Sequence, residues 1–92
     1  MTDLEISKAL ALAIGWKKVS FYGDAAIVWF DNRYWRIFDY RDWNVIGPIA
    51  ERYDMFPYKW KDEAWTCRAT AYDIYADTPQ KAIALAVIGA KK

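Results

Sequence analysis

Asp77-Thr78-Pro79-Gln80-Lys81-Ala82-Ile83-Ala84-Leu85-Ala86-Val87-Ile88-Gly89-Ala90 is the stretch whose reading decides the fold of this chain. The Thr78 hydroxyl can cap a helix start, and Pro79 suits the first helical position, where its missing N–H costs nothing. From Ala82 to Ala90 nearly every side chain is small or aliphatic. Ile83, Ala86, Val87 and Ala90 follow the spacing of one helical face, and Leu85 and Ile88 widen the stripe. A helix this apolar has to lie against something.

The segments before it are what it can lie against. Ala64-Trp65-Thr66-Cys67-Arg68-Ala69 and Tyr72-Asp73-Ile74-Tyr75-Ala76 read as strands joined near Thr70-Ala71, and Met55 to Trp60 as a short edge strand in which Pro57 is tolerable. Lys61-Asp62-Glu63 is a turn. Further upstream, Asp42 can cap a helix carrying Ile46, Ile49, Ala50 and Tyr53 on one face; Pro48 either kinks it or marks its first turn. Before that helix stands a three-stranded meander. Lys18 to Tyr22 alternates, Gly23-Asp24 turns, Ala25 to Phe30 is apolar at every position, Asp31-Asn32 turns again, and Tyr34 to Phe38 closes it. The uninterrupted apolar middle strand predicts cover on both of its faces. On the third strand, alternation puts Trp35 and Ile37 on one face and Tyr34, Arg36 and Phe38 on the other, one of them core and the other charged. The chain begins with a capping box, Thr2-Asp3-Leu4-Glu5, ahead of a helix bearing Ile6, Leu10, Ala13 and Ile14, which Gly15 is placed to end. The expectation is one α+β domain over residues 1–92. It has a mostly antiparallel sheet of about five strands, three helices, and the order α-β-β-β-α-β-β-β-α.

Composition narrows the function. With no histidine in 92 residues, histidine triads, Cys-His dyads and His-containing zinc sites are excluded. The single cysteine, Cys67, permits neither an intramolecular disulfide nor a thiolate cluster, fits a reducing compartment, and reads as a packing residue. Asp39 with Asp42, and Asp62 with Glu63, are carboxylate pairs that could serve acid–base chemistry, but turns and caps favour Asp for local hydrogen bonds. No glycine-rich phosphate loop or calcium loop is present. A non-enzyme without cofactor or metal is expected. The acidic start, Asp3 and Glu5, is unlike a signal peptide, and no apolar run reaches the length of a membrane span.

Six tryptophans and seven tyrosines exceed what one small core needs, so some should stand at a surface. Three segments interleave aromatic and basic side chains: Arg33, Trp35 and Arg36; Arg41 and Trp43; and Tyr58, Lys59, Trp60 and Lys61. Such groups can stack bases and pair phosphates, and they are equally the anchors of protein interfaces. The near-balanced charge of +1 gives no uniform phosphate-binding field. Helix, three strands and helix is also the order of double-stranded RNA-binding domains, but those place a lysine cluster where this chain has Asp42-Trp43-Asn44.

The motifs Thr2-Asp3-Leu4-Glu5, Gly47-Pro48-Ile49-Ala50-Glu51 and Ala76-Asp77-Thr78-Pro79-Gln80-Lys81-Ala82-Ile83 resemble those of a group of small phage and prophage proteins, the NinX-like proteins and a related phage domain described as an α-β-α sandwich. The resemblance spans both ends and the middle of the chain, and the meander is more aromatic than the group's usual pattern. It implies phage origin, a compact α+β domain in the cytoplasm of an infected bacterium, and no catalytic residues. The function it implies is that of an accessory protein binding a host protein or ribonucleoprotein complex, with an anti-CRISPR-type inhibitor of host defence as one form. A nucleic-acid-binding module is the alternative, and a homodimer is an arrangement the sequence allows.

Overall fold

A computed structural model describes residues 2–31, 33–60, 64–68 and 73–91, with Trp60 and Lys91 described by backbone alone. The elements run α1 (Asp3–Ala13), β1 (Val19–Tyr22), β2 (Ala25–Trp29), β3 (Trp35–Ile37), α2 (Trp43–Tyr53), β4 (Tyr58–Trp60), β5 (Ala64–Arg68), β6 (Asp73–Ala76) and α3 (Pro79–Lys91). This is the order the sequence predicts. The expected turns at Lys61-Asp62-Glu63 and Thr70-Ala71 lie outside the described residues, as does Asn32.

The helix starts are built as their sequences dictate. At α1 the Thr2 hydroxyl accepts from the Glu5 amide at 3.2 Å and the Glu5 carboxylate accepts from the Thr2 amide at 3.1 Å. At α3 the Lys81 amide donates to the Thr78 hydroxyl at 3.2 Å, and at α2 the Asn44 amide donates to the Asp42 carboxylate at 2.9 Å. Gly15, at φ +108°, lets the chain leave α1, and the Trp16 amide returns to the Ala11 carbonyl. Pro48 sits inside α2, which continues through it, so the first of the two readings is nearer the structure.

All strand pairings are antiparallel, and the strands divide between two sheets, β1-β2-β3 and β4-β5-β6. Helix α1 packs on β1 and β2, α3 packs on β5 and β6, and the two helices pack on each other, with α2 also against α3. The sheets therefore flank a helical middle, in a molecule of 46 × 23 × 21 Å. The larger core joins Ile6 and Leu10 of α1, Val28 and Phe38 of the first sheet, Ile46 of α2, and Ile83 and Val87 of α3. The smaller one sets Ala82 and Ala86 of α3 against Cys67. Small side chains on α3 let it lie close to the second sheet, so the helix the sequence marks as the organiser contributes to both cores.

The middle strand is covered on both faces, as its apolar run predicts, and one expectation about the meander is corrected, the inward set on β3. Val28 belongs to the core under α1, whereas Ile27, equally buried, is no part of that core and points to the other face, where the cover comes from the sheet's own side chains. On β3 the core-facing set is the one with the charge: Phe38 is buried, while Trp35 and Ile37 are exposed. Arg36 is tolerated on the inner face because it lies at the margin, with its guanidinium carbon over the rings of Trp16 at 5.8 Å and Phe30 at 5.2 Å.

Candidate binding face on the first sheet

The hairpin register determines which side chains share the outer face of the first sheet. Gly23, at φ +60°, takes the left-handed first position of a two-residue turn and pairs Tyr22 with Ala25. Ser20 then stands opposite Ile27, Ile27 opposite Ile37, and Trp29 opposite Trp35. Side chains directly opposite in an antiparallel pair lie on one face. The outer face thus carries Ser20, Tyr22, Ala25, Ile27, Trp29, Trp35 and Ile37.

Tyr22 and Trp35 are two same-face rows apart, about 13 Å along the strands, yet their ring centroids are 5.8 Å from each other with planes 31° apart. Both rings must lean inward, over the middle row that holds Ile27. Ile27 is accordingly only 3% exposed, while Tyr22, Trp35 and Ile37 remain 70%, 43% and 56% exposed. Trp29 joins the cluster, its ring 6.4 Å from that of Trp35, and the Lys18 ammonium sits 4.7 Å from its centroid. The Trp29 indole N–H is buried and has no acceptor among the described residues. A buried unpaired donor of this kind costs on the order of 1–3 kcal/mol. The result is an aromatic plate with a cation at its edge.

The basic-aromatic residues singled out from sequence are distributed rather than gathered. Trp35 belongs to the plate, Arg36 to the opposite face, and exposed Arg33 to the preceding turn, where its amide donates to Asp31 at 2.7 Å. Trp43 is exposed at the start of α2. Arg41 is engaged internally, forking onto Asp39 through Nε at 3.0 Å and Nη2 at 2.9 Å and reaching Asp3 at 3.4 Å. That fork holds the Asp39 carboxyl below its usual range and raises the Arg41 value. Tyr58 and Lys59 lie on the second sheet, Tyr58 exposed and Lys59 with its ammonium 5.8 Å from the Trp65 ring. Trp60 pairs with Ala64 through the backbone, and Lys61 lies outside the described residues.

The carboxylates considered for acid–base work are in structural positions where they are described: Asp42 caps α2 and Asp39 holds Arg41. Asp62 and Glu63 lie outside the described residues. Tyr40, buried, donates its hydroxyl to Asp3 at 2.5 Å, and burial followed by that bond pushes its pKa up. Cys67 is fully buried, and burial raises its thiol pKa. Among the described residues no group of three or more Cys, Asp or Glu is arranged to hold a metal ion, and no helix is long and apolar enough to cross a membrane.

Sequence reasoning missed Tyr22, Ile27, Trp29 and Ile37 as parts of one site. The signal was present: the two-residue turn at Gly23-Asp24 determines the register, and alternation from it puts all four on one face. The chain matches no protein-family model, no curated protein and no solved structure.

Proposed function

We propose that this protein is a non-catalytic binding module that engages a partner protein through the outer face of its first sheet. The observation carrying this reading is the plate of Tyr22 and Trp35 over Ile27. Large planar side chains lose little rotamer freedom on binding and bury much area, and tryptophan and tyrosine are enriched among the residues that dominate interface energies. Ile37 extends the apolar surface and Lys18 borders it. That the partner is a host protein or ribonucleoprotein in an infected bacterium, with inhibition of host defence as the outcome, is supported by the resemblance to the phage group alone.

The test is capture from nuclease-treated bacterial lysate, comparing the wild-type chain with Tyr22→Ser and Trp35→Ser. A specific partner should be retained by wild type, weakened at least tenfold in each variant, and only modestly sensitive to salt. Capture that is unchanged in both variants would sink the assignment of this face. Capture that needs nucleic acid and collapses as salt rises would favour the nucleic-acid reading instead.

A further inference from the structure

A second surface lies along the open edge of β3, between that strand and α2. It is a groove of about 400 Å³ whose lining includes Trp16, Arg36, Ile37, Val45, Pro48 and Arg52. Among the described residues no carboxylate lines it and no ion pair engages Arg36 or Arg52. The Arg36 guanidinium carbon lies 5.8 Å from the Trp16 ring centroid and 5.2 Å from that of Phe30, and the Arg52 guanidinium carbon lies 5.4 Å from the Tyr53 ring centroid. Aromatic rings attract a guanidinium through their faces without using up its N–H donors, which can still fork onto a carboxylate. Two cations thus border a largely apolar floor, with no anion paired to them among the described residues.

The edge itself has open backbone groups. The Phe38 amide donates to the Ala26 carbonyl and the Phe30 amide to the Tyr34 carbonyl, each at 2.8 Å. In an antiparallel ladder the bonding residues alternate, so Tyr34, Arg36 and Phe38 turn their backbone toward β2, while Trp35 and Ile37 turn theirs toward the open edge. Pro48, in addition, supplies no N–H to the Asn44 carbonyl one helical turn before it.

We infer that this groove accepts an extended acidic segment of a partner protein, added as a strand beside β3, with its backbone paired to Trp35 and Ile37 and a carboxylate held by Arg36 and Arg52. The inference rests on the reading of the chain as a partner-binding module but concerns a different surface from the aromatic plate. Strand addition supplies affinity through the backbone and specificity through alternate side chains. Charge selects the occupant: a second copy of this chain in a two-fold arrangement would bring its own Arg36 and Arg52 to the interface, against like charge. An acidic segment meets the opposite sign.

The experiment uses the full chain and a fluorescein-labelled peptide in which glutamate alternates with valine and threonine, compared with the same peptide carrying lysine for glutamate. Fluorescence polarisation should show the glutamate peptide binding at least tenfold more tightly, and amide exchange at Trp35 and Ile37 should slow when it is bound. The double variant Arg36→Glu with Arg52→Glu should reverse the preference; Arg36→Gln with Arg52→Gln, a milder change, should abolish it. Equal affinity for the two peptides, binding of neither, or an unchanged preference in the glutamine variant that keeps the wild-type melting temperature would overturn the inference. So would a dimer in sedimentation that the glutamine variant abolishes. Tyr22→Ser on β1 breaks the plate and leaves β3 and both guanidiniums untouched, so it should still bind the glutamate peptide; loss of the plate's partner and loss of peptide binding are thereby read separately.

Discussion

The two sheets are built alike and finished differently. Each has three antiparallel strands and a helix on its inner face, and each turns aromatic side chains outward. In the first sheet the middle of the outer face is Ile27, roofed by Tyr22 and Trp35. In the second it is Thr66, paired across the strands with Tyr58 on one side and Tyr75 on the other, 1% exposed and with its hydroxyl unpaired among the described residues. At its centre one aromatic arrangement covers an apolar side chain, where desolvation is favourable, and its unpaired polar atom, the Trp29 indole N–H, lies a row away; the other has a polar atom at the centre itself, where desolvation is costly. The comparison explains why we assign partner binding to the first sheet although both carry exposed tyrosine.

The largest effect should come from breaking what the sheets share. Ala86 is fully buried on the face of α3 that meets Cys67, and Ala86→Lys would bury an unpaired charge at a cost of several kcal/mol. Loss of the cooperative thermal transition is expected; a wild-type melting temperature would refute the organising role given to α3. Next, Ile27→Ala should destabilise by about 2–4 kcal/mol in urea titration, as for other buried aliphatic truncations, and should loosen the Tyr22–Trp35 contact, visible as a shift in tryptophan emission. Its counterpart in the second sheet should have the opposite sign. Thr66→Val removes a buried hydroxyl that has no partner among the described residues and is expected to be neutral or stabilising by up to about 1 kcal/mol; a clear loss would mean that Thr66 is satisfied and the contrast between the faces is false.

The smallest effect is electrostatic. Asp39 has a folded-state pKa below its unfolded value because of the Arg41 fork. Its contribution is therefore present above the unfolded carboxylate range and is lost as pH falls through the folded value. With both side chains partly solvated, Asp39→Asn should cost at most about 1 kcal/mol near neutrality, and the difference from wild type should vanish at acid pH. Tyr40 runs the other way: its raised pKa makes its contribution complete below the ordinary tyrosine value and progressively lost in alkali. A Tyr40→Phe variant should therefore show a shallower loss of stability above about pH 10.

Local grammar made most of the fold legible. Thr2 with Glu5, Asp42, and Thr78 with Pro79 each name a helix start that hydrogen bonds then realise, and the strand order follows from alternation and turn residues. The division into two sheets was not legible, because alternation within a strand says nothing about which strand stands beside it. The inward set on β3 was misread for a related reason. Arg36 looks solvent-facing by type, but a residue at the margin of a core can keep its guanidinium outside by lying near the rings of Trp16 and Phe30. At the candidate site, Trp35 was named from composition, whereas its companions depended on register, and the fork of Arg41 onto Asp39, two residues before it, was not legible from their types alone.

Helix α3 follows both sheets in the sequence, and its two sides close two cores. As the chain emerges from a ribosome, the meander can pair and α1 can settle on it, but Ile83 and Val87 are still missing from one core and Ala82 and Ala86 from the other. Until α3 has cleared the exit tunnel, both sheets are nascent structures with an incomplete apolar interior, the state in which a chain is most open to chaperones and to proteases. The timing of folding in the cell is thus governed by the last helix to be translated in this sequence.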